Sequence, residues 1–267
     1  MNIFDLLDGD LNLCNEYKIL MKLFREPYYQ YEDIFLSSSL HKLFSNKISE
    51  WKYRGTAITT DDILNKLELK RYTNESDAFN DILKLIQLIL NIKLFLENYY
   101  EDIGDYVIFD NINKILEKIN YEIYQEEDRI LLIPKNIEVL EVINTTTKEL
   151  KLLLVEYLNF EIIDDVLAKK RILNDISFEL EHKRKDYNQI NKSLTENIFH
   201  LFNKINIRHN NKEGKRKNEV VSKMNDKELI YWYDKTYDMI IYLINQEKNN
   251  KNMREVKELI SKIENAN

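Results

Sequence analysis

The chain has little of what breaks a helix and little of what cross-links a fold. Its 267 residues include 4 Gly, 2 Pro, 1 Cys and 4 His. So few glycines leave no Gly-rich loop to cradle a phosphate, and no nucleotide cofactor is expected. So few prolines leave helices uninterrupted, which points to an all-α or α-dominated protein. The lone Cys14 excludes an internal disulfide and a Cys-based metal site, and predicts a reducing, cytoplasmic setting. His41, His182, His200 and His209 lack metal-ligand spacing, so neither a metal nor another cofactor is expected. There is no nucleophile elbow. The most apolar run, Ile82 to Leu96, is interrupted by Lys84, Gln87, Asn91 and Lys93. A membrane span needs roughly 20 mostly apolar residues, so this run predicts a buried helix and no membrane partner. Met1-Asn2-Ile3-Phe4-Asp5 shows no basic stretch leading into an apolar core, and no secretory leader is expected.

What is present is ordinary for a folded soluble chain: 44% hydrophobic and 32% charged residues, with a net charge of -7. The charge is uneven. Residues 161–267 carry 21 Lys+Arg against 18 Asp+Glu, whereas residues 1–160 carry 18 against 28. This suggests an acidic, mainly helical region over 1–160 joined to a mildly basic helical domain over 161–267. No Ser/Gly/Pro-rich linker marks the change near Asn159 to Asp165.

Apolar residues at spacings of three and four predict helices over Glu16–Phe24 and Ser38–Trp51, with Pro27-Tyr28-Tyr29 between them. Thr59-Thr60-Asp61-Asp62 reads as the N-cap of a short helix ending near Leu69. Asn74 to Tyr100 has a broad apolar face that includes Phe79, Ile82, Leu83, Ile86, Ile89, Leu90 and Leu96, fitting a central helix. After a turn at Gly104-Asp105, Asn111 to Ile119 reads as helix. Ile119, Tyr121 and Ile123 then alternate with polar neighbours, Gln125-Glu126-Glu127-Asp128 is a polar connection, and the short apolar run Ile130-Leu131-Leu132-Ile133 stops at Pro134, which together predict a small β-hairpin over 119–133 within the helical bundle. Residues 136–160 predict two helical pieces around Asn144-Thr145-Thr146-Thr147.

In the C-terminal part, Asp164-Asp165 caps a long helix running to about Tyr187. Ser193-Leu194-Thr195-Glu196 reads as a capping box, and the helix it opens delivers Arg208 and His209 near its end. Asn225 and Glu228 open a helix with Leu229, Trp232, Tyr233, Ile240, Leu243 and Ile244 on its buried face. A polar tail follows Gln246, with a weak last helix near Met253 to Ile263.

The densest polar cluster is Asn206-Ile207-Arg208-His209-Asn210-Asn211. A long charged helix, a helix ending in an Arg-centred cluster, a basic loop and a further amphipathic helix together resemble the HEPN superfamily, common in prokaryotic defence and abortive-infection proteins. The resemblance covers roughly Asp164 to Gln246. It implies RNA binding and metal-independent endoribonuclease activity in a homodimer. In the family's motif an Arg is followed by a polar residue and, about a helical turn further, a His. Arg208 matches the Arg and His209 the polar position; Lys212, Glu213 and Gly214 stand where the His would be. The resemblance assigns Arg208 to the charge on the scissile phosphate. His209, His200 or His182 would move the proton, since a His near its ordinary pKa of about 6.5 serves as acid or base. Glu181 and Arg184 would orient the site. Lys204, Asn210, Asn211, Lys215, Arg216, Lys217 and Arg184 are candidate RNA contacts. The other reading is a non-catalytic interaction module: an adaptor, scaffold or antitoxin-like partner. In it Arg208 and His209 end a helix, Asn210-Asn211 make a left-handed exit, and Lys215-Arg216-Lys217 is a solvated loop.

Overall fold

The computed structural model describes residues 11–26, 39–101, 103 and 107–265. The expected break at Pro27-Tyr28-Tyr29 and turn at Gly104-Asp105 lie outside them. The structure is 71% helical, with eleven helices and a two-stranded antiparallel sheet among the described residues. It divides into two compact units, Met1–Pro134 and Lys135–Asn267. The division falls earlier than the change of composition near residue 160.

In the first unit, α1 (Leu13–Arg25) and α2 (Leu40–Ser45) pack on α4 (Ala78–Leu96), and α5 (Val107–Lys118) packs on α1. The short helix α3 (Thr60–Lys66) starts with a full capping box. The Thr59 hydroxyl accepts from the Asp62 amide, and the Asp62 carboxylate accepts from the Thr59 amide at 2.8 Å. Its end is tied by a left-handed Glu68 and by the Leu69 amide donating to the Leu64 carbonyl. Helix α4 is central, as expected: Ile82, Leu83, Leu85, Ile86, Ile89 and Ile92 are fully buried. Each such side chain contributes about 1.5–3 kcal/mol on burial. Phe79 departs from the expected apolar face. It is 44% exposed and leans edge-on against Tyr121.

The predicted hairpin is present. Strand β1 (Tyr121–Glu126) pairs with β2 (Arg129–Pro134), from Tyr121 opposite Pro134 to Glu126 opposite Arg129. Glu127, at φ 52°, makes the two-residue connection with Asp128. Two of the four polar interruptions of the apolar run find their purpose here. Gln87 accepts from the Leu132 amide, and Asn91 both accepts from the Ile130 amide and donates to its carbonyl. One turn apart on α4, these two amides satisfy backbone groups of β2 that the hairpin leaves open.

In the second unit, α6 (Ile137–Ile143) and α7 (Lys148–Leu158) are the two expected pieces, split at Asn144–Thr147. Helix α7 packs on α8 (Val166–His182), and α8 on α9 (Arg184–Lys204). Beyond the short α10 (Glu219–Lys223) comes the 40-residue α11 (Asp226–Asn265), which packs on α6, α8 and α9. Asp165 caps α8, accepting from the Leu167 and Ala168 amides. Asn225 and Glu228 cap α11 reciprocally, at 2.9 and 3.0 Å.

Four further expectations need correction. The helix from Asp165 stops at His182, because Lys183 leaves helical geometry, and Tyr187 belongs to α9. The capping box at Ser193 does not form; Asn191 takes φ -152° and kinks α9, and its side chain caps the following segment through the Leu194 amide. Ser193 therefore already lies inside the helix, and Glu196 pairs with Lys192. Trp232 is 41% exposed, one position off the stripe of Leu229, Tyr233, Thr236 and Ile240. The polar tail is no separate weak helix, since α11 runs through it unbroken. Among the described residues no helix is long and apolar enough to cross a membrane.

Candidate functional site

The Arg208 cluster is built at the exit of α9. The helix ends at Lys204, Ile205 leaves helical geometry, and Asn206 takes the left-handed conformation at φ 67°. In a chain with so little glycine, Asn is the residue that tolerates this position. The Arg208 amide then closes the exit on the Phe202 carbonyl at 2.9 Å. Ile205 and Ile207 are buried and pin the loop to the core.

The asparagines serve the loop itself. The Asn206 amide donates to Asn211 Oδ1 at 3.0 Å, and the Asn211 amide returns to Asn206 Oδ1 at 3.2 Å. Asn211 Nδ2 also donates to the Arg216 carbonyl, and its own carbonyl accepts from the Asn218 amide. Asn210 Oδ1 accepts from the Lys212 and Glu213 amides. Thus, of the asparagines expected as RNA contacts, Asn211 spends its polar atoms on the loop, Asn210 spends its carbonyl oxygen Oδ1 on backbone amides, and the left-handed exit is made by Asn206 instead. Lys170 reaches in from α8 to Asn206 Oδ1 at 3.3 Å. Burial lowers the Lys170 pKa, and nearby Lys212 adds to that.

Arg208 turns inward, its side chain 14% exposed. Its Nε donates to Ser177 Oγ at 2.7 Å and its Nη2 to the Ser177 carbonyl at 2.6 Å. Its Nη1 pairs with Glu181 Oε2 at 2.7 Å. The guanidinium sits 5.5 Å from the ring centres of Phe178, Phe199 and Phe202. All three nitrogens are therefore engaged by groups of α8. The other Glu181 oxygen takes Arg184 at 3.0 Å, and Arg184 lies over Phe199 at 4.3 Å. Burial alone would raise the Glu181 carboxyl pKa; the hydrogen bonds from Arg208 and Arg184 outweigh it and hold the pKa below its ordinary value.

The structure thus brings together Arg208, Arg184 and Glu181. It does not bring the histidines into that group. His200 and Lys204 are exposed on α9, and the helix breaks before Arg208, so the three do not share one continuing face as the spacing had suggested. His182 is exposed at the last position of α8. His209 is half-buried beside the loop, where burial, then Arg216 and Arg208, lower its pKa. It stays a neutral imidazole near neutrality, able to accept a proton and poorly placed to give one. Lys215, Arg216 and Lys217 are exposed. Among the described residues no three His, Cys, Asp or Glu side chains gather as a metal site would require.

Ser177 and Asn206 were missed as site residues. Ser177 carried a signal: a small polar residue on the buried face of Leu173, Ile176 and Leu180, where a hydroxyl needs a partner. No protein-family model, curated protein or solved structure matches the chain.

Proposed function

We propose that this protein is a non-catalytic helical interaction module, an adaptor or scaffold, that pairs with a second copy of itself through the free end of α11. The observation that carries the reading is that end. Residues 249–265 are helical and exposed at every position. A helix of that length is marginal in water unless one face is covered. Met253, Val256, Ile260 and Ile263 repeat at spacings of three and four, with Leu259 alongside, and all five are about half exposed. This is the seam spacing of a coiled coil, and an identical helix satisfies it without further design. The flanks do not oppose a copy: Lys251, Arg254, Lys257 and Lys262 are nearly balanced by Glu255, Glu258 and Glu264.

The ribonuclease reading finds less support. It asks Arg208 to leave Ser177 and Glu181, and it asks for a histidine beside the guanidinium. Two measurements test the proposal. Incubation with total RNA and tRNA without metal is expected to leave both intact. Light scattering is expected to give twice the chain mass for wild type and the chain mass for the Val256→Glu/Ile260→Glu pair. Metal-free cleavage by wild type that Arg208→Ala abolishes, or a wild-type monomer at high concentration, would overturn it.

A further inference from the structure

The first unit holds a basic cleft in the more acidic part of the chain. Lys18, Lys22 and Arg25 stand at i, i+4 and i+7 along α1, on the side facing solvent. Arg71 and Tyr72 follow the buried Leu69 on the segment leading to α4. With Glu26, and with Met21 as a buried floor, these residues line a half-open cleft of about 500 Å³. That is the size of a small-molecule site rather than of a flat docking face.

The cations outnumber their partners. Arg25 is held by Asp61 at 2.8 Å, and Lys22 lies 3.8 Å from Glu26. Among the described residues, no carboxylate comes within ion-pair distance of Lys18 or Arg71. Both instead stand over the Tyr72 ring, at 6.0 and 5.7 Å from its centre. Those distances are at the outer limit of a cation–π contact, so either group can swing to an anion at little cost. Tyr72 is 58% exposed, so its ring is open to a ligand once these two cations swing aside.

An aromatic platform with two uncommitted cations beside it matches one ligand chemistry best. We propose that the cleft binds a nucleotide unit, its base stacked on Tyr72 and its phosphate held by Lys18 and Arg71, with Lys22 at the margin. An acidic peptide would use the cations and leave the ring idle. An anionic membrane would need a flat or protruding basic face. No Gly-rich loop is required, because side-chain cations supply the donors that such a loop draws from its backbone. The room and the single platform suit one base, free or within a single strand.

The test uses the full chain. AMP and ATP are titrated by calorimetry, and a labelled oligoadenylate of about ten residues by fluorescence anisotropy, at low and at physiological salt. Binding of the mononucleotides identifies a free nucleotide as ligand; binding of the oligomer alone identifies a strand. Tyr72→Ala is expected to weaken binding about tenfold, the usual loss of one stacked base, while Tyr72→Phe keeps it. The Lys18→Gln/Arg71→Gln pair is expected to flatten the salt dependence. All these side chains are exposed, and an unchanged circular dichroism spectrum checks that each variant folds. The proposal is overturned if no nucleotide or oligomer binds, if tripolyphosphate competes as well as ATP, if anionic vesicles bind while nucleotides do not, or if Tyr72→Ala binds like wild type.

Discussion

Replacing Arg208 by Ala should weaken the second unit by about 3 kcal/mol. The figure follows from what the guanidinium touches. Two hydrogen bonds to Ser177 are charge-assisted and largely shielded, each worth about 1.5 kcal/mol or more. The pair with Glu181 adds less, because that carboxylate is 41% exposed and solvent screens it, leaving about 0.5 kcal/mol. The three phenylalanine contacts are near the distance limit and add a few tenths each, about 0.5 kcal/mol together. Part of the loss is recovered, because the Ser177 hydroxyl keeps its bond to the Asn174 carbonyl and is not orphaned. Arg208→Lys keeps the charge but not the planar fork, and should lose about half as much. Urea unfolding followed by far-UV circular dichroism reads both. An Arg208→Ala protein within about 0.5 kcal/mol of wild type would refute the reasoning, since that is the size of an ordinary surface substitution.

Three further outcomes are expected. Glu181 has a lowered pKa when folded, so its contribution is complete above the ordinary glutamate value of about 4.3 and is lost as pH falls through the folded value. Glu181→Gln should flatten the acid limb of the stability profile there, as read by urea midpoints across that pH range. Lys169 is 4% exposed and its ammonium pairs with Asp234 at 2.6 Å, while Tyr157 donates to the same oxygen at 2.8 Å. Asp234→Ala strands that buried ammonium and should cost about 3 kcal/mol in thermal or urea unfolding, with Lys169→Met/Asp234→Ala recovering part of it. Asn91→Leu removes the partner of both Ile130 backbone groups and should cost about 2 kcal/mol in urea unfolding, with faster hydrogen exchange across β2.

What could be read along the chain is what is local. Thr59 with Asp62, Asn225 with Glu228, and Asp165 cap helices by bonds that span two or three residues, so residue type and spacing suffice. The hairpin expected over 119–133 and found at 121–134 was legible for the same reason: alternation in the first strand, a polar connection and an apolar run are local patterns, although the connection narrows from Gln125–Asp128 to Glu127-Asp128. Asn191 was not, because a β-region torsion in the middle of a helix leaves the hydrophobic period on either side intact. The Arg208 cluster was found by its polarity, but its meaning lay elsewhere. Ser177 is 31 positions earlier, and only the packing of α8 beside α9 brings it to the guanidinium. Lys169 and Asp234 are separated by 65 positions and lie on different helices. Trp232 and Tyr233 are adjacent in sequence, yet they point to opposite environments on α11, a distinction of one position that a degenerate apolar stripe does not encode.

The most direct measurement for the central claim is hydrogen exchange of residues 249–265 at two concentrations. If the stripe of Met253, Val256, Ile260 and Ile263 pairs with a second copy, these amides are protected at high concentration and lose protection on dilution, and Val256→Glu/Ile260→Glu leaves them unprotected at both. Equal protection of this segment in wild type at both concentrations, unaffected by the two glutamates, would contradict the account.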